Sequence, residues 1–220
     1  MPTMYPDYDA QIRNQGTSWS TIRDNKDGDA VDDTSTYNSQ AVSTLVFTGR
    51  GSTTYRICRT LLNFNTSSIT STVESATLTI SGATSYSNHE DFAIVKGNFL
   101  MAATTSNSAF QGIVGWNSTD VNNDSNVTHY SNAYFASSSW NINSGNTILL
   151  NATALSDIVS LSDFKIVLID YVYDLRNVTP TASNQSVGMW YSEAATASLR
   201  PLLTINYPST DNSIFFGANF

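Results

Sequence analysis

Four tryptophans and a thin scatter of carboxylates are the residues of this chain best suited to binding or reaction. Trp116 and Trp140 lie in a stretch, 102–146, where apolar residues become sparse and aromatic, in company with Tyr130, Tyr134 and Phe135. Loops present side chains to ligands, and an aromatic face can meet the C–H face of a pyranose while its edge still hydrogen-bonds. Trp19, Trp116, Tyr134 and Trp140 are therefore the candidate carbohydrate contacts. For any single tryptophan the plainer use is as filling for a sandwich interior, and Trp190 sits within a regular alternating segment.

The run Asp24-Asn25-Lys26-Asp27-Gly28-Asp29, followed by Asp32-Asp33, collects hard oxygen ligands of the kind calcium takes. Asp24, Asp27 and Asp29 are candidates for a structural cation. The spacing fails the helix-loop-helix calcium signature, and no Glu closes the loop. A solvated acidic loop is the competing reading, and no cofactor is otherwise expected. The histidines, His89 and His129, form no helix-borne zinc pair and read as surface turns. Neither a Gly-x-Ser-x-Gly elbow nor a phosphate-binding glycine loop occurs. Carboxylate pairs for glycoside hydrolysis meet in space and not along a chain, but with Glu74, Glu90 and Glu193 the only glutamates, no enzyme is expected.

The elements that must position these residues are strands. The 220 residues are 40% hydrophobic and 13% charged, with Ser, Thr and Asn in the polar positions, a balance that favours strands and turns. The formal net charge is −8 with no cluster of Lys or Arg, so nucleic acid is not expected as a partner. No run approaches the roughly 20 apolar residues that span a bilayer, and membrane insertion is not expected either. The N-terminal segment has no basic stretch followed by an apolar core, so no secretory signal is read there.

A short strand is expected around Ala10–Arg13, then a polar excursion to Gln40. Leu45-Val46-Phe47 and the turn Gly49-Arg50-Gly51 precede the strongest strand. In it Cys58, Thr60, Leu62 and Phe64 share one face and Ile57, Arg59, Leu61 and Asn63 the other, one of them meeting the core. Cys58, the single cysteine, reads as a buried small hydrophobe. Ala76, Leu78 and Ile80 alternate with Ser75, Thr77 and Thr79, a strand with one wet side. A strand pair is expected from Phe92–Val95 and Phe99–Met101. Asn151 is placed to cap the only expected helix, with Ala154, Leu155, Ile158 and Val159 at helical spacing. Phe164–Ile169 fits a strand covered on both faces, and Val187–Tyr191 and Leu202–Tyr207 complete the set.

Several of these pieces occur in a recognisable order. Phe64-Asn65, a Ser/Thr-rich link, Ser75-Ala76-Thr77-Leu78, then Leu150-Asn151-Ala152-Thr153-Ala154-Leu155, and finally Ser192-Glu193 before Arg200-Pro201-Leu202-Leu203 resemble the disaggregatase-related (DNRLRE) jelly-roll domains. That resemblance implies an all-β antiparallel sandwich of jelly-roll type over 1–207, with one short helix and an apolar extension over 208–220. It also implies the role of a carbohydrate-binding module of extracellular polysaccharide-active proteins, in which Glu74 and Glu193 are framework residues. The chain departs from the family at Asn65, where an acidic residue is usual, and in its long middle section.

A sandwich with Ser/Thr/Asn-rich strands and an apolar tail also resembles the accessory proteins that tailed bacteriophages mount on heads or tails. This implies a non-catalytic structural or adhesive subunit at the virion surface, assembled in the host cytoplasm. Its partners would be other virion proteins, further copies of itself and, weakly, cell-surface polysaccharide. Ile214, Phe215, Phe216 and Phe220 are the candidate assembly contacts, each worth roughly 1.5–3 kcal/mol when buried. Folding back as one more strand of the same sheet is their other use. The alternative function is an extracellular carbohydrate-binding module acting beside a polysaccharide-degrading enzyme.

Overall fold

The computed structural model describes residues 1–49, 51–85, 91–100, 109–181 and 185–209. Within them the alternating segments form strands β1 (Thr3–Met4), β2 (Tyr8–Gly16), β3 (Ala30–Asp32), β4 (Tyr37–Gly49), β5 (Ser52–Asn65), β6 (Ser75–Ser85), β7 (Phe92–Lys96), β8 (Gly145–Leu149), β9 (Asp163–Asp170), β10 (Gln185–Trp190) and β11 (Leu202–Asn206). Their ladders are all antiparallel. One layer runs β8-β6-β11-β1, and the other runs β7-β9-β5-β2-β3 with β4 also on β5. β10 joins them by pairing with β4 on one edge and β6 on the other. This is the all-β sandwich expected from the alternation.

β5 organises the second layer because it is long enough to hold three neighbours. β2 lies along one side from Tyr55 to Asn63. On the other side β4 takes Ser52–Cys58 and β9 takes Thr60–Asn65. The tight β4–β5 hairpin, with Gly49 opposite Ser52, is closed by Gly51 at φ 86, a left-handed conformation that glycine adopts without a Cβ penalty.

The two layers have different outer faces. Over Ser75–Ile80 of β6, and in β8 and β11, burial alternates residue by residue, so the first layer is apolar inside and wet outside, as read for Ala76, Leu78 and Ile80. Leu62, Phe64, Ile94, Phe164 and Leu168 of the second layer meet Leu78, Ile80, Ile148, Leu203 and Ile205 of the first to make the inter-sheet core. The expectation that only one face of β5 meets a core is corrected: both are buried. Ile57 and Leu61, with Ile12, Val95, Val167 and Ile169, form a second core on the outer face of that layer, roofed by Trp19, Ile22, Phe110, Ile113, Val127 and Leu175. The irregular middle section is thus a third layer packed on the sheet.

Among the described residues two α-helices flank the sheets. α2 (Ala152–Ser160) begins as expected, the Asn151 side chain accepting from the Ala154 N–H, and it buries Ala154 and Ile158. α1 (Trp19–Asp24) is an addition to the expected elements. Ser18 caps it by accepting from Thr21 N–H, and it turns Trp19 and Ile22 onto the second core. Phe92–Lys96 does not return as a hairpin through Phe99. Its partners are β9 and, on its other edge, isolated bridges to His129 and Phe135, while Phe99 enters the second core and Met101 lies outside the described residues. Cys58 is buried, and burial pushes its thiol up to about 11.

Candidate functional site

The site grows from the edge of β7 opposite β9. An open edge invites association and is ordinarily covered, and here residues 128–135 cover it. Lys96 N–H donates to the Thr128 carbonyl and Tyr130 N–H to Ile94, each at 2.8 Å, and Phe92 and Phe135 exchange two backbone bonds of 3.2 and 2.7 Å. Tyr130 is fully buried, its ring stacked 4.8 Å from Phe164 and its hydroxyl donating to Asp157 at 2.8 Å. Phe135 stacks on Phe92 at 5.2 Å. Two anchored aromatics therefore bracket Ser131–Tyr134, which step off the edge as a short ledge, its turn closed by Ser131 Oγ–H donating to the Ala133 carbonyl at 2.7 Å.

Tyr134 stands on this ledge at 44% exposure, and its ring stacks on Tyr171 with centroids 4.4 Å apart and 19° between planes. Tyr171 opens a single π turn, Tyr171–Leu175, where β9 ends, and Asp170 caps that turn by accepting from Tyr173 N–H at 2.8 Å. The Tyr171 hydroxyl donates to Asp124 Oδ2 at 3.2 Å, and His129 Nε2 lies 3.2 Å from Asp124 Oδ1. Burial, then the Asp124 carboxylate, holds the Tyr171 phenol above its usual range, so it is the proton donor in that bond. The two tyrosines with Asp124, His129, Ser131, Asn132 and Ala133 line an open cavity of about 530 Å³. The rings touch each other and cannot clamp a sugar between them. They form a stiff two-ring platform with one outer face, edged by a carboxylate, an imidazole and an amide that can bond to hydroxyls.

Beneath the platform lies a buried ionic knot that holds the third layer. Arg59, from β5, donates Nε and Nη2 to the two Asp174 oxygens, each at 2.7 Å, and both residues are fully buried. Its remaining donors reach the carbonyls of Phe110 and Arg23. Arg23 in turn donates to the Asp174 carbonyl at 2.6 Å and to Asp24 Oδ1 at 2.6 Å. The Arg59 guanidinium lies 3.9 Å from the Phe110 ring centre and 4.5 Å from that of Trp116. One β5 side chain thereby ties α1, the Phe110 loop and the π turn carrying Tyr171 to the sheet.

The candidates read from sequence separate in space. Tyr134 is at the platform. Trp19 is 7% exposed, its Nε1 donating to Asn177 Oδ1 at 2.9 Å, and it fills the second core. Trp116 packs over Arg23 and Arg59, and Trp140 is buried in the inter-sheet core edge-on to Phe92 and Phe135. Asp24 is bound to Arg23 and Asp29 to Arg13, so with Asp27 they do not converge on one point, and among the described residues no group of three or more His, Cys, Asp or Glu could hold a metal. Ile214, Phe215, Phe216 and Phe220 lie outside the described residues.

Asp124, His129 and Tyr171 are the site residues that sequence reasoning did not single out. Their signal was indirect: Tyr171 is the first residue after the apolar run Phe164–Ile169 and its Asp170, where a covered strand must surface. No family model matches the chain, and no curated protein matches it.

Proposed function

We propose that this chain is a non-catalytic adhesive subunit of a bacteriophage particle, of jelly-roll type, that holds cell-surface polysaccharide weakly through the Tyr134–Tyr171 platform. The observation that carries the reading is an exposed Tyr134 on an anchored ledge, stacked in advance on the half-buried Tyr171 and surrounded by groups suited to sugar hydroxyls. Aromatic rings supply large contact area with little side-chain entropy to lose, and rigid elements hold them in place. The absence of catalysis is supported by the lining itself: Asp124 is its one carboxylate among the described residues, whereas glycosidic cleavage commonly takes two. The particle setting, a head decoration or fibre subunit meeting other virion proteins and further copies of itself, is supported by the compositional resemblance alone.

Screening the full chain on a microarray of bacterial surface polysaccharides tests the binding function. Binding is expected to a subset of glycans and to weaken roughly 5–30-fold with Tyr134→Ala, the equivalent of about 1–2 kcal/mol of lost stacking. Wild-type protein that binds none of them sinks the adhesive reading. Separation of purified particles from free protein tests the setting, and chain found only in the free fraction would favour a separate extracellular carbohydrate-binding module.

A further inference from the structure

A second concave site lies at the other end of the sheet, well separated in the fold from Tyr134. Its walls come from four adjacent strands: Gln11 and Arg13 on β2, Asp32 on β3, Asn38 and Gln40 on β4, and Arg56 on β5, over a floor of buried Cys58. The pocket holds about 270 Å³, the liquid volume of about nine waters, enough for one sugar ring.

These side chains are locked to one another. Gln11 Nε2 donates to the Gln40 carbonyl at 2.6 Å, and Arg56 donates to Gln15 Oε1 at 2.8 Å and to Gln40 Oε1 at 3.3 Å. Asn38 donates to Asp32 Oδ2 at 3.3 Å, and Arg13 to Asp29 Oδ1 at 3.0 Å. Register places Arg13 opposite Cys58 and Gln15 opposite Arg56, so the two arginines are diagonal neighbours on one face. Ordering long polar side chains against one another costs rotamer entropy. A face that only had to be wet would not need it. Local departures of this kind mark functional positions.

The chemistry of the wall selects the ligand class. Arg13 and Arg56 are balanced by Asp29 and Asp32, so the local charges sum to zero and a charged ligand finds no net attraction. What the pocket offers is planar forks, donors beside acceptors, from Arg, Asn, Gln and Asp. Neighbouring hydroxyls on a sugar, each donating and accepting, match such forks. We infer that this pocket is a second carbohydrate site, taking a single neutral pyranose ring through its vicinal hydroxyls. The choice of ligand class rests on the carbohydrate-binding reading above, while the site is independent of the tyrosine platform. Two sites on one rigid sandwich would let a single polysaccharide chain engage both, raising avidity with no change at either.

The test is an NMR titration of the full chain, following the Arg13 and Arg56 Nε–H and the Gln11 and Gln40 side-chain amide signals. The probes are neutral trisaccharides (glucose-, galactose- and mannose-based) and a trigalacturonate, taken to about 10 mM, ten times a millimolar dissociation constant. Saturable shifts with a neutral trisaccharide are expected in both wild type and Tyr134→Ala, and are expected to disappear in Arg56→Met with the β-sheet circular dichroism unchanged. Should Arg56→Met fail to fold, Gln40→Ala is expected to lower the affinity at least threefold. The inference is overturned if no neutral probe shifts these signals, if only the uronate does, or if the shifts vanish in Tyr134→Ala. Saturable shifts of these signals in wild type with no response of the Tyr134 ring protons would instead count against the platform and leave this pocket standing.

Discussion

Replacing Arg59 by Met is the perturbation from which the structure predicts most. Arg59 and Asp174 are both fully buried and pair bidentately at 2.7 Å, while Arg23, the other buried cation nearby, is itself bonded to Asp24. Removing one partner of such a pair leaves a carboxylate without its cation in a dry interior, which costs about 3–5 kcal/mol. The Phe110 and Arg23 carbonyls lose their donor at the same time. For a chain of this size that loss lowers the melting temperature by roughly 6–20 °C, at about 2–4 °C per kcal/mol. Urea unfolding, followed by near- and far-ultraviolet circular dichroism, measures it. The double variant Arg59→Met with Asp174→Leu is expected to be more stable than Arg59→Met alone, because the buried carboxylate is gone and the buried Arg23 keeps its pairing with Asp24. Arg59→Lys should recover only part, since an ammonium cannot span both oxygens and both carbonyls. Asp174 lies in the turn that Tyr171 begins, so Arg59→Met should also weaken any glycan bound at the platform. A cost below about 1 kcal/mol, or a double variant less stable than the single, would refute the account of how the third layer is held.

Three further outcomes follow from the same structure. Asp9 is 3% exposed and accepts from both the N–H and the hydroxyl of Ser192; burial pushes its carboxyl up to about 7 against the lowering effect of Ser192, and Glu193 adds to the rise. The fold therefore binds a proton that the unfolded chain, near pH 3.9, has released, so this contribution is full below about pH 4 and lost as pH rises to about 7. Asp9→Asn should flatten the fall in unfolding free energy over that window, an effect of at most about 4 kcal/mol, and an unchanged slope would refute the assignment. Asn151→Ala should cost about 1 kcal/mol in chemical denaturation by removing the α2 cap. Gly115→Ala should cost more than about 1 kcal/mol, since Gly115 sits at φ 89 and a Cβ there would overlap the Asn126 carbonyl; a neutral result would mean this turn is placed differently.

How much of this was legible depends on which interactions fixed each part. The alternation in Ala76, Leu78 and Ile80 and the unbroken apolar run from Phe164 to Ile169 reported burial directly, because strand side chains alternate faces by geometry. Asn151 announced α2 because its cap is a local bond between residues three apart. The second face of β5 was misread because Arg59 looks polar on paper. Its partner Asp174 lies 115 residues away, and only folding turns that charge into a core residue. The middle section has the same cause: residues 128–135 behave as sheet only by borrowing the edge of β7, a pairing no local pattern encodes. Tyr134 was legible as a loop aromatic, while its stack on Tyr171 was not, since the two stand 37 positions apart with two strands and a helix between them.

The most direct test of the adhesive reading is to locate a bound sugar ring. Intermolecular NOEs should be recorded between the C–H protons of a microarray-selected oligosaccharide and the aromatic protons of the chain. The account predicts contacts to the Tyr134 ring, lost in Tyr134→Ala and kept in Tyr134→Phe. Contacts confined to another exposed aromatic pair, such as Tyr37 with Trp190, would contradict it.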